Sequence, residues 1–426
     1  MSNLIMEEAI TRPKERTEIL NHHLYSPGEN DLSYDFKGSD TQYSTHALHT
    51  YVAAMVPKLA ETLVTTYVPK GEKVLDPFCG GGAVLVECAR NNRKGTGSDI
   101  NPLALLISKV KATYVDKNLL EEACKYVQVS SQQGLNGSIV FPENYNVDYW
   151  FMPNTISELS SIIRVINKCE QKEKYSKDII DVLKVIFSAT VRDVMLTYRN
   201  EVRLRRFQEK EYIKFKPNSF LTFASRSKIA IDRIPLLPKN SKVNIKSCPV
   251  QSLSYPDKYF HSIICSPPYG DEKNGVSYLQ FSKYMLYWLG FSRESVGEAR
   301  RKTLGSMSNE ITAPSPTLQK AFKEIKKISD DISGINFYKD YFMGLQQMTR
   351  VTRENIIIVI GNRILKQTSI NNGKVTAELM SNLNWKLHSH FERTLPSKRL
   401  PKLRREDSHG FGGAIDKEDI LIFKPN

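Results

Sequence analysis

Lys73-Val74-Leu75-Asp76-Pro77-Phe78-Cys79-Gly80-Gly81-Gly82 is the stretch that decides how this 426-residue chain folds. Val74 and Leu75 read as the end of a short strand that stops on a carboxylate, and a proline and three glycines then break regular structure. From Ala83 to Arg90 apolar residues return at helical spacing, closed by the polar turn Asn91 to Gly95. Strand, glycine turn and helix in that order open a parallel α/β unit. Glycine has no Cβ and tolerates positive φ, so the turn lets backbone approach a ligand closely. A second strand, Gly95 to Ser98, ends at Asp99, with Ile100, then Asn101 as N-cap and Pro102 at the first helical position. An acidic residue about twenty positions beyond a glycine turn is the spacing that places a carboxylate on ribose hydroxyls. The triplet is not G-x-G-x-x-G, which disfavours a nicotinamide dinucleotide. The expected fold is a doubly wound α/β sheet with ligands at the carboxyl ends of its strands.

A second corner lies downstream at Ile263-Ile264-Cys265-Ser266-Pro267-Pro268-Tyr269. Two consecutive prolines have fixed φ and no N–H, so the carbonyls of Ser266 and Pro267 are free to point outward. Tyr269 sets a flat ring beside them. Acceptors at one edge and an aromatic face below suit a planar amino-bearing ring, the requirement of a flipped nucleobase. A rigid strand-to-loop turn is the alternative reading of the same four residues. Cys265 offers a nucleophile on paper, but a buried strand cysteine behaves more often as a small hydrophobe. Asp76 and Ser266 both end strands, which sets the two corners on one rim of the sheet.

Together these motifs resemble the S-adenosylmethionine-dependent amino-methyltransferases that act on DNA. Asp76 to Gly82 is similar to their cofactor motif and Ser266-Pro267-Pro268-Tyr269 to their catalytic motif. The serine-first form resembles the group that methylates the N4 amine of cytosine. The similarity runs on through Gly270-Asp271, Tyr278 to Ser282, Trp288 to Gly290, Ile360 to Arg363 and Arg393 to Pro401. Thr45 to Pro57 resembles the N-terminal cofactor-side segment of that group, although its histidines and tyrosine would suit a polar surface equally. The resemblance implies a Rossmann-like class I methyltransferase sheet of seven strands with the last reversed. It also implies S-adenosylmethionine as cofactor, held by His49, Tyr51, Asp76, Pro77, Phe78, Cys79, Gly80, Gly82, Asp99, Ile100 and Asn101. Ser266, Pro267, Pro268 and Tyr269 would then be catalytic. The sequence departs from the pattern where an acidic residue usually meets the cofactor adenine. Ile245-Lys246-Ser247-Cys248-Pro249-Val250 has no carboxylate, which leaves that contact to backbone groups or to Gln251. Gly81-Gly82 also replaces the usual Ser-Gly.

Composition fits this reading. Forty per cent hydrophobic and 25% charged residues are ordinary for a soluble chain, and a net charge of +14 points to a polyanionic partner, nucleic acid before membrane. Six scattered cysteines without a C-x-x-C pair suggest neither a zinc site nor a disulfide framework. No apolar run approaches a membrane span, and Met1 to Arg16 is too polar for a signal peptide, so a cytoplasmic, nucleoid-associated protein is expected.

Residues 1–40 read as an N-terminal arm, and 41–115 with 241–426 as the catalytic domain. Residues 116–240 read as a mostly helical insertion, longer than a crossover needs and a candidate for target recognition. Within it Arg192, Arg199, Arg203, Arg205 and Arg206 are interleaved with Tyr198, Phe207, Tyr212 and Phe215, a pattern of nucleic-acid tracks and also of solvated helix faces. Arg293 to Pro316 reads as a mobile loop. Arg393, Lys398, Arg399, Lys402, Arg404 and Arg405 read as a loop that contacts phosphate. The expected partner is double-stranded DNA with its target base flipped out, with a separate cognate restriction endonuclease. An adenine-N6 enzyme, a non-catalytic DNA-binding subunit on the same fold and an RNA methyltransferase remain the competing readings.

Overall fold

The computed structural model describes residues 29–30, 34–134, 139, 141–143, 145–198, 204–270, 278–306, 312–329, 334–366, 368–395 and 417–426. Its strands are β1 (Glu29–Asn30), β2 (Lys73–Asp76), β3 (Lys94–Asp99), β4 (Asn244–Ser247), β5 (Phe260–Cys265), β6 (Thr352–Gly361), β7 (Arg363–Leu365), β8 (Thr368–Ile370), β9 (Trp385–Thr394) and β10 (Lys417–Pro425). The main sheet runs β1-β9-β10-β6-β5-β2-β3-β4, while β7 and β8 make a separate hairpin. Neighbours from β6 through β5, β2 and β3 to β4 are parallel, and β10 is antiparallel to both β6 and β9. Leaving aside the two-residue β1 at the edge, this is a seven-stranded sheet whose last strand is reversed, as expected.

Alternation along β6 shows why the sheet is buried on both sides. Ile356, Ile358 and Ile360 face one core together with Leu75, Ile263 and Cys265, under the helices Pro316–Ile328, Gly334–Val351 and Asn372–Ser381. Ile357 and Val359 face the other with Val74 and Ile264, under Pro57–Tyr67 and Ala83–Arg90. A continuous β-branched run is what a doubly covered parallel strand requires. Each such side chain contributes about 1.5–3 kcal/mol on full burial.

The segment 116–240 is helical through Lys117–Gln132, Pro153–Gln171, Lys177–Val194 and Ser219–Arg233. It shares one hydrophobic core with Leu103 and Ile107 of helix Pro102–Lys111 and with Phe281 and Trp288 of helix Tyr278–Trp288. The helices are therefore welded to helices Pro102–Lys111 and Tyr278–Trp288 and do not dangle from the rest of the fold. One expectation fails outright. Arg293–Arg301, read as mobile loop, is a helix whose N-cap Ser292 accepts from the amide of Ser295 at 3.1 Å and whose Val296 and Ala299 are buried. Among the described residues no helix is long and apolar enough to cross a membrane.

Candidate active site

β2 and β5 lie side by side, so Asp76 and Ser266 leave the sheet at the same rim. Both corners open onto one cavity of about 1250 Å³. Tyr51, Asp76, Pro77, Phe78, Cys79, Gly80, Asp99, Ile100 and Asn101 line it from the β2–β3 side, and Ser266 and Pro268 from β5. Nine of the eleven cofactor residues expected from the sequence are thus brought together.

Local hydrogen bonds stiffen the glycine corner. The amide of Phe78 donates to Asp76 Oδ1 at 3.1 Å, and that of Gly80 to Asp99 Oδ2 at 3.0 Å. Asp99 Oδ1 also accepts from the amide of Asn101 at 2.9 Å. Asn101 caps its helix through Leu103 and donates from Nδ2 to Tyr51 Oη at 2.9 Å and Ser282 Oγ at 2.7 Å. A single amide therefore ties the N-terminal segment, β3 and helix Tyr278–Trp288 to one another. Gly82 does not line the cavity. It precedes helix Ala83–Arg90 at φ +79°, and a Cβ there would stand 2.8 Å from Ser108 Cα. Gly81 has no room for the usual serine, since its Cβ would lie 2.8 Å from Tyr51 Cβ.

Burial sets the charges. It pushes the Asp76 carboxyl up to about 8, reinforced by Asp99 and opposed by the Phe78 amide. Asp99 is raised by the same desolvation, against the amides of Asn101, Gly80 and Ile100. Cys265 is fully buried in the core and burial holds its thiol well above the usual range, so it supplies no thiolate.

His49 departs from expectation. Its ring turns away from the cavity, with Nε2 3.0 Å from Ser188 Oγ and Nδ1 2.7 Å from the Thr50 carbonyl. Desolvation first and nearby Lys111 second push it down to about 3. A neutral imidazole that donates from Nδ1 and accepts at Nε2 locks the insertion to the N-terminal segment and is not a cavity residue.

The proline corner is held from outside its own motif. Of the four catalytic residues expected from the sequence, Ser266 and Pro268 line the cavity, whereas Pro267 is buried and Tyr269, half-buried, packs against the core, and neither is among the lining residues. Tyr269 Oη donates to Glu418 Oε1 at 2.6 Å and stands 3.5 Å from Ser266 Oγ. Burial and the Glu418 carboxylate push the phenol further up, so it stays protonated and donates. Asn372 Nδ2 reaches the Tyr269 carbonyl at 3.2 Å and that of Gly361 at 2.9 Å, stitching the turn to the end of β6. Glu418 and Asn372 escaped the sequence reading; their separation along the chain from Tyr269 left no local signal.

Arg393, expected on a phosphate-binding loop, instead sits near the end of β9, 2% exposed. Its Nε donates to Glu418 Oε2 at 2.8 Å, directly opposite it in the β9–β10 register. The strand's alternation turns this side chain inward, where it holds the carboxylate that holds Tyr269. Arg205 is exposed, its guanidinium 4.3 Å from the Tyr198 ring centre. Arg206 donates to the Tyr149 carbonyl at 2.7 Å and covers that ring at 4.7 Å. Arg192 is buried against Thr197, the Tyr198 carbonyl and Phe281. Arg199, Arg203, Lys398 and Arg399 lie outside the described residues, as do Asp271 and residues 1–28 of the arm. The cavity mouth gains Lys283, Arg293, Arg300, Lys302 and Lys366, none of them singled out as site residues from the sequence.

Residues 12–110, which contain the glycine corner, match the family model described as DNA methylase of the N6/N4 type. The chain is 28% identical over 434 aligned positions to the type II methyltransferase M.MvaI of Kocuria varians, covering 93% of this chain and 94% of that protein. It is also 28% identical to the type II methyltransferase M.MjaII of Methanocaldococcus jannaschii over 35% of this chain and 27% of that one. Among solved structures, the rRNA methyltransferase AviRa of Streptomyces viridochromogenes aligns over 88% of both chains at 12% identity, with a TM-score of 0.27. The family that the model match and these relatives support is that of the N6/N4 DNA methylases, with N4 and N6 unresolved between them.

Proposed function

We propose that this chain is an S-adenosylmethionine-dependent DNA methyltransferase acting on the N4 amine of cytosine, the modifying partner of a separate restriction endonuclease. The observation that carries the reading is the opening of both corners onto one cavity of about 1250 Å³. That is more than a single small ligand takes up (roughly 300–1,000 Å³), and methyl transfer requires two.

The residues present fit the cofactor. Gln251, in the turn after β4, is 5% exposed, lines the cavity and has neither side-chain polar atom paired among the described residues. An unpaired buried amide is costly, and its donor and acceptor together match the edge of an adenine. Asp99 would take the ribose hydroxyls, with Asp76, Pro77, Phe78, Cys79, Gly80, Ile100, Asn101 and Tyr51 as the surrounding wall. When bound, the cofactor supplies an electrophilic methyl group on a sulfonium.

The protein's own part is positioning. Tyr269, fixed by Glu418 and next in the chain to the lining residues Pro268 and Gly270, would offer its ring for the extruded base to stack on. The Ser266 hydroxyl and the carbonyls of Ser266 and Pro267 accept from the exocyclic amine. Delocalisation into the ring makes that amine a weak nucleophile, and acceptors on its hydrogens favour a pyramidal nitrogen with an available lone pair. The same carbonyl dipoles stabilise the positive charge that develops on nitrogen. Duplex DNA is the proposed substrate, met by the basic cavity mouth and by Arg205 and Arg206, with Arg199, Arg203, Lys398 and Arg399 proposed beside them.

Purified protein, labelled cofactor and mixed-sequence DNA test the reading. N4-methylcytosine on nucleoside analysis is expected, and Ser266→Ala should lose labelling while retaining DNA binding. N6-methyladenine as the only product would overturn the base assignment. Undiminished labelling by Ser266→Ala would remove that hydroxyl from the chemistry.

A further inference from the structure

Arg363 is the first residue of β7, one position beyond the end of β6 and its connecting Asn362. It lines the cavity, yet is only 7% exposed. Its Nε and Nη1 have no hydrogen-bond partner among the described residues. Its guanidinium carbon lies 5.5 Å from the Phe337 ring centre and 5.9 Å from that of Tyr338. A Cβ on Gly270, the residue after Tyr269, would fall 2.8 Å from Nη1. The guanidinium therefore presses against the end of the Ser-Pro-Pro-Tyr corner; it also donates to the Tyr338 phenol, which leaves Nε and Nη1 unspent among the described residues.

A cation desolvated this far with Nε and Nη1 unpaired, and with the Tyr338 phenol as its acceptor, is expensive, and such groups in folded chains are ordinarily more fully paired. Position says which ligand completes it. In the order β6-β5-β2-β3, Arg363 follows β6, across β5 from the glycine corner. It thus sits on the target side of Ser266 and not on the cofactor side. A phosphate of the flipped nucleotide would stay near the mouth, which the exposed Lys302 and Lys366 line. What reaches a group as deep as Arg363 is the base.

We propose that Arg363 donates to the O2 carbonyl of the flipped cytosine and selects cytosine over adenine; the proposal rests on the cytosine reading above. With the exocyclic amine on Ser266 and Pro267, the far end of cytosine's pairing edge presents O2. Adenine, anchored by its own amine, presents C2–H there and leaves Nε and Nη1 unpaired. A site built to hydrogen-bond a substrate group rejects the analogue that lacks it far more strongly than a shape filter does.

The test compares duplexes that carry either cytosine or a 2-aminopyridine C-nucleoside at the methylated position, located beforehand by sequencing of modified DNA. The analogue keeps the amine and its adjacent ring nitrogen but has C–H in place of O2. The wild-type enzyme should lose about 10- to 100-fold in kcat/KM on the analogue, the range of one good base contact. Arg363→Met should lose a similar factor on cytosine and no longer distinguish the two duplexes, with cofactor affinity by calorimetry unchanged. Arg363→Lys, which keeps the charge and guards against a folding defect in the methionine variant, should behave in the same way. An analogue penalty that survives in both variants overturns the proposal. So does a loss in Arg363→Met that Arg363→Lys restores and that lowers the salt dependence of DNA binding by about one counterion, the signature of a phosphate contact. Methyladenine as the sole wild-type product would overturn the cytosine reading itself, and this proposal with it.

Discussion

Arg393→Met separates two roles for a basic residue that sequence alone assigns to DNA. In the structure Arg393 pairs with Glu418 at 2.8 Å, with side chains only 3% and 12% exposed. Removing one partner of a buried pair strands the other charge, at about 3–5 kcal/mol. Glu418 retains the Tyr269 hydroxyl as a donor and some access to water, which argues for the lower end, about 3 kcal/mol. At roughly 2.1 cal/mol/K of unfolding entropy per residue, 426 residues give about 0.9 kcal/mol/K. The expected fall in Tm is therefore about 3 °C. Adding Glu418→Gln to the variant removes the stranded charge and should recover most of that loss. Scanning calorimetry reads the stability, and DNA binding titrated against salt reads the phosphate count. A phosphate contact would instead leave Tm within a fraction of a degree and flatten the slope of log K against log salt by about 0.9. That pairing of results, an unchanged Tm with a flatter slope, would refute the buried-pair account and restore Arg393 to the DNA interface.

Three further outcomes are expected. Asp76, raised by burial to about 8 from 3.8, holds a proton in the folded chain that the unfolded chain has released. Its contribution is present below about pH 4 and is lost as pH rises towards 8, so Asp76→Asn should flatten that decline in calorimetry. Because a cation in the cavity favours the carboxylate, S-adenosylmethionine should bind more tightly from pH 6 to 8 with proton release, and Asp76→Asn should abolish the release. Lys111, fully buried and pushed down to about 7, carries the opposite sign: its penalty is full below pH 7 and lifts as pH rises towards its unfolded value near 10.5. Lys111→Met should be the more stable chain at pH 6 and lose that advantage by pH 10, even though the His49 carbonyl gives up its 2.7 Å donor. Gln251→Leu should weaken cofactor binding by roughly 5- to 30-fold, one to two hydrogen bonds' worth, without altering the salt dependence of DNA binding.

The core of the fold was legible because its signals are local. Lys73 to Arg90 announces strand, turn and helix within 18 residues, and the β-branched run Ile356–Ile360 admits only a strand covered on both faces. β9 hid because its inward positions are mixed. Trp385 and Phe391 point in, but so do Ser389 and Arg393, and polar residues at core-facing positions erase the period-two pattern. The helix Arg293–Arg301 hid for a related reason. Only Val296 and Ala299 are buried along it, too short an apolar stripe to stand out from six polar neighbours and a glycine.

The active site divides along the same line. Most residues that touch ligand in the proposed scheme had a sequence signal, because each corner is a few consecutive residues whose geometry is written in proline and glycine; Arg363 had none. Residues that hold those corners had none either, because their partners are remote: Glu418 meets Tyr269 across 149 positions and Asn372 meets its carbonyl across 103. Charge misled in one direction only. A basic run reads as surface, yet Arg192, Arg363 and Arg393 are all more than nine-tenths buried. Arg192 and Arg393 spend their guanidinium on a protein acceptor, the Tyr198 carbonyl and the Glu418 carboxylate. Arg393 keeps Nη1 unpaired among the described residues but does not line the cavity, whereas Arg363, beside its Tyr338 acceptor, lines the cavity with Nε and Nη1 unpaired. The difference between a cation that braces a site and one proposed to read a substrate is thus whether its unpaired donors border the cavity, a property that no spacing of residue types encodes.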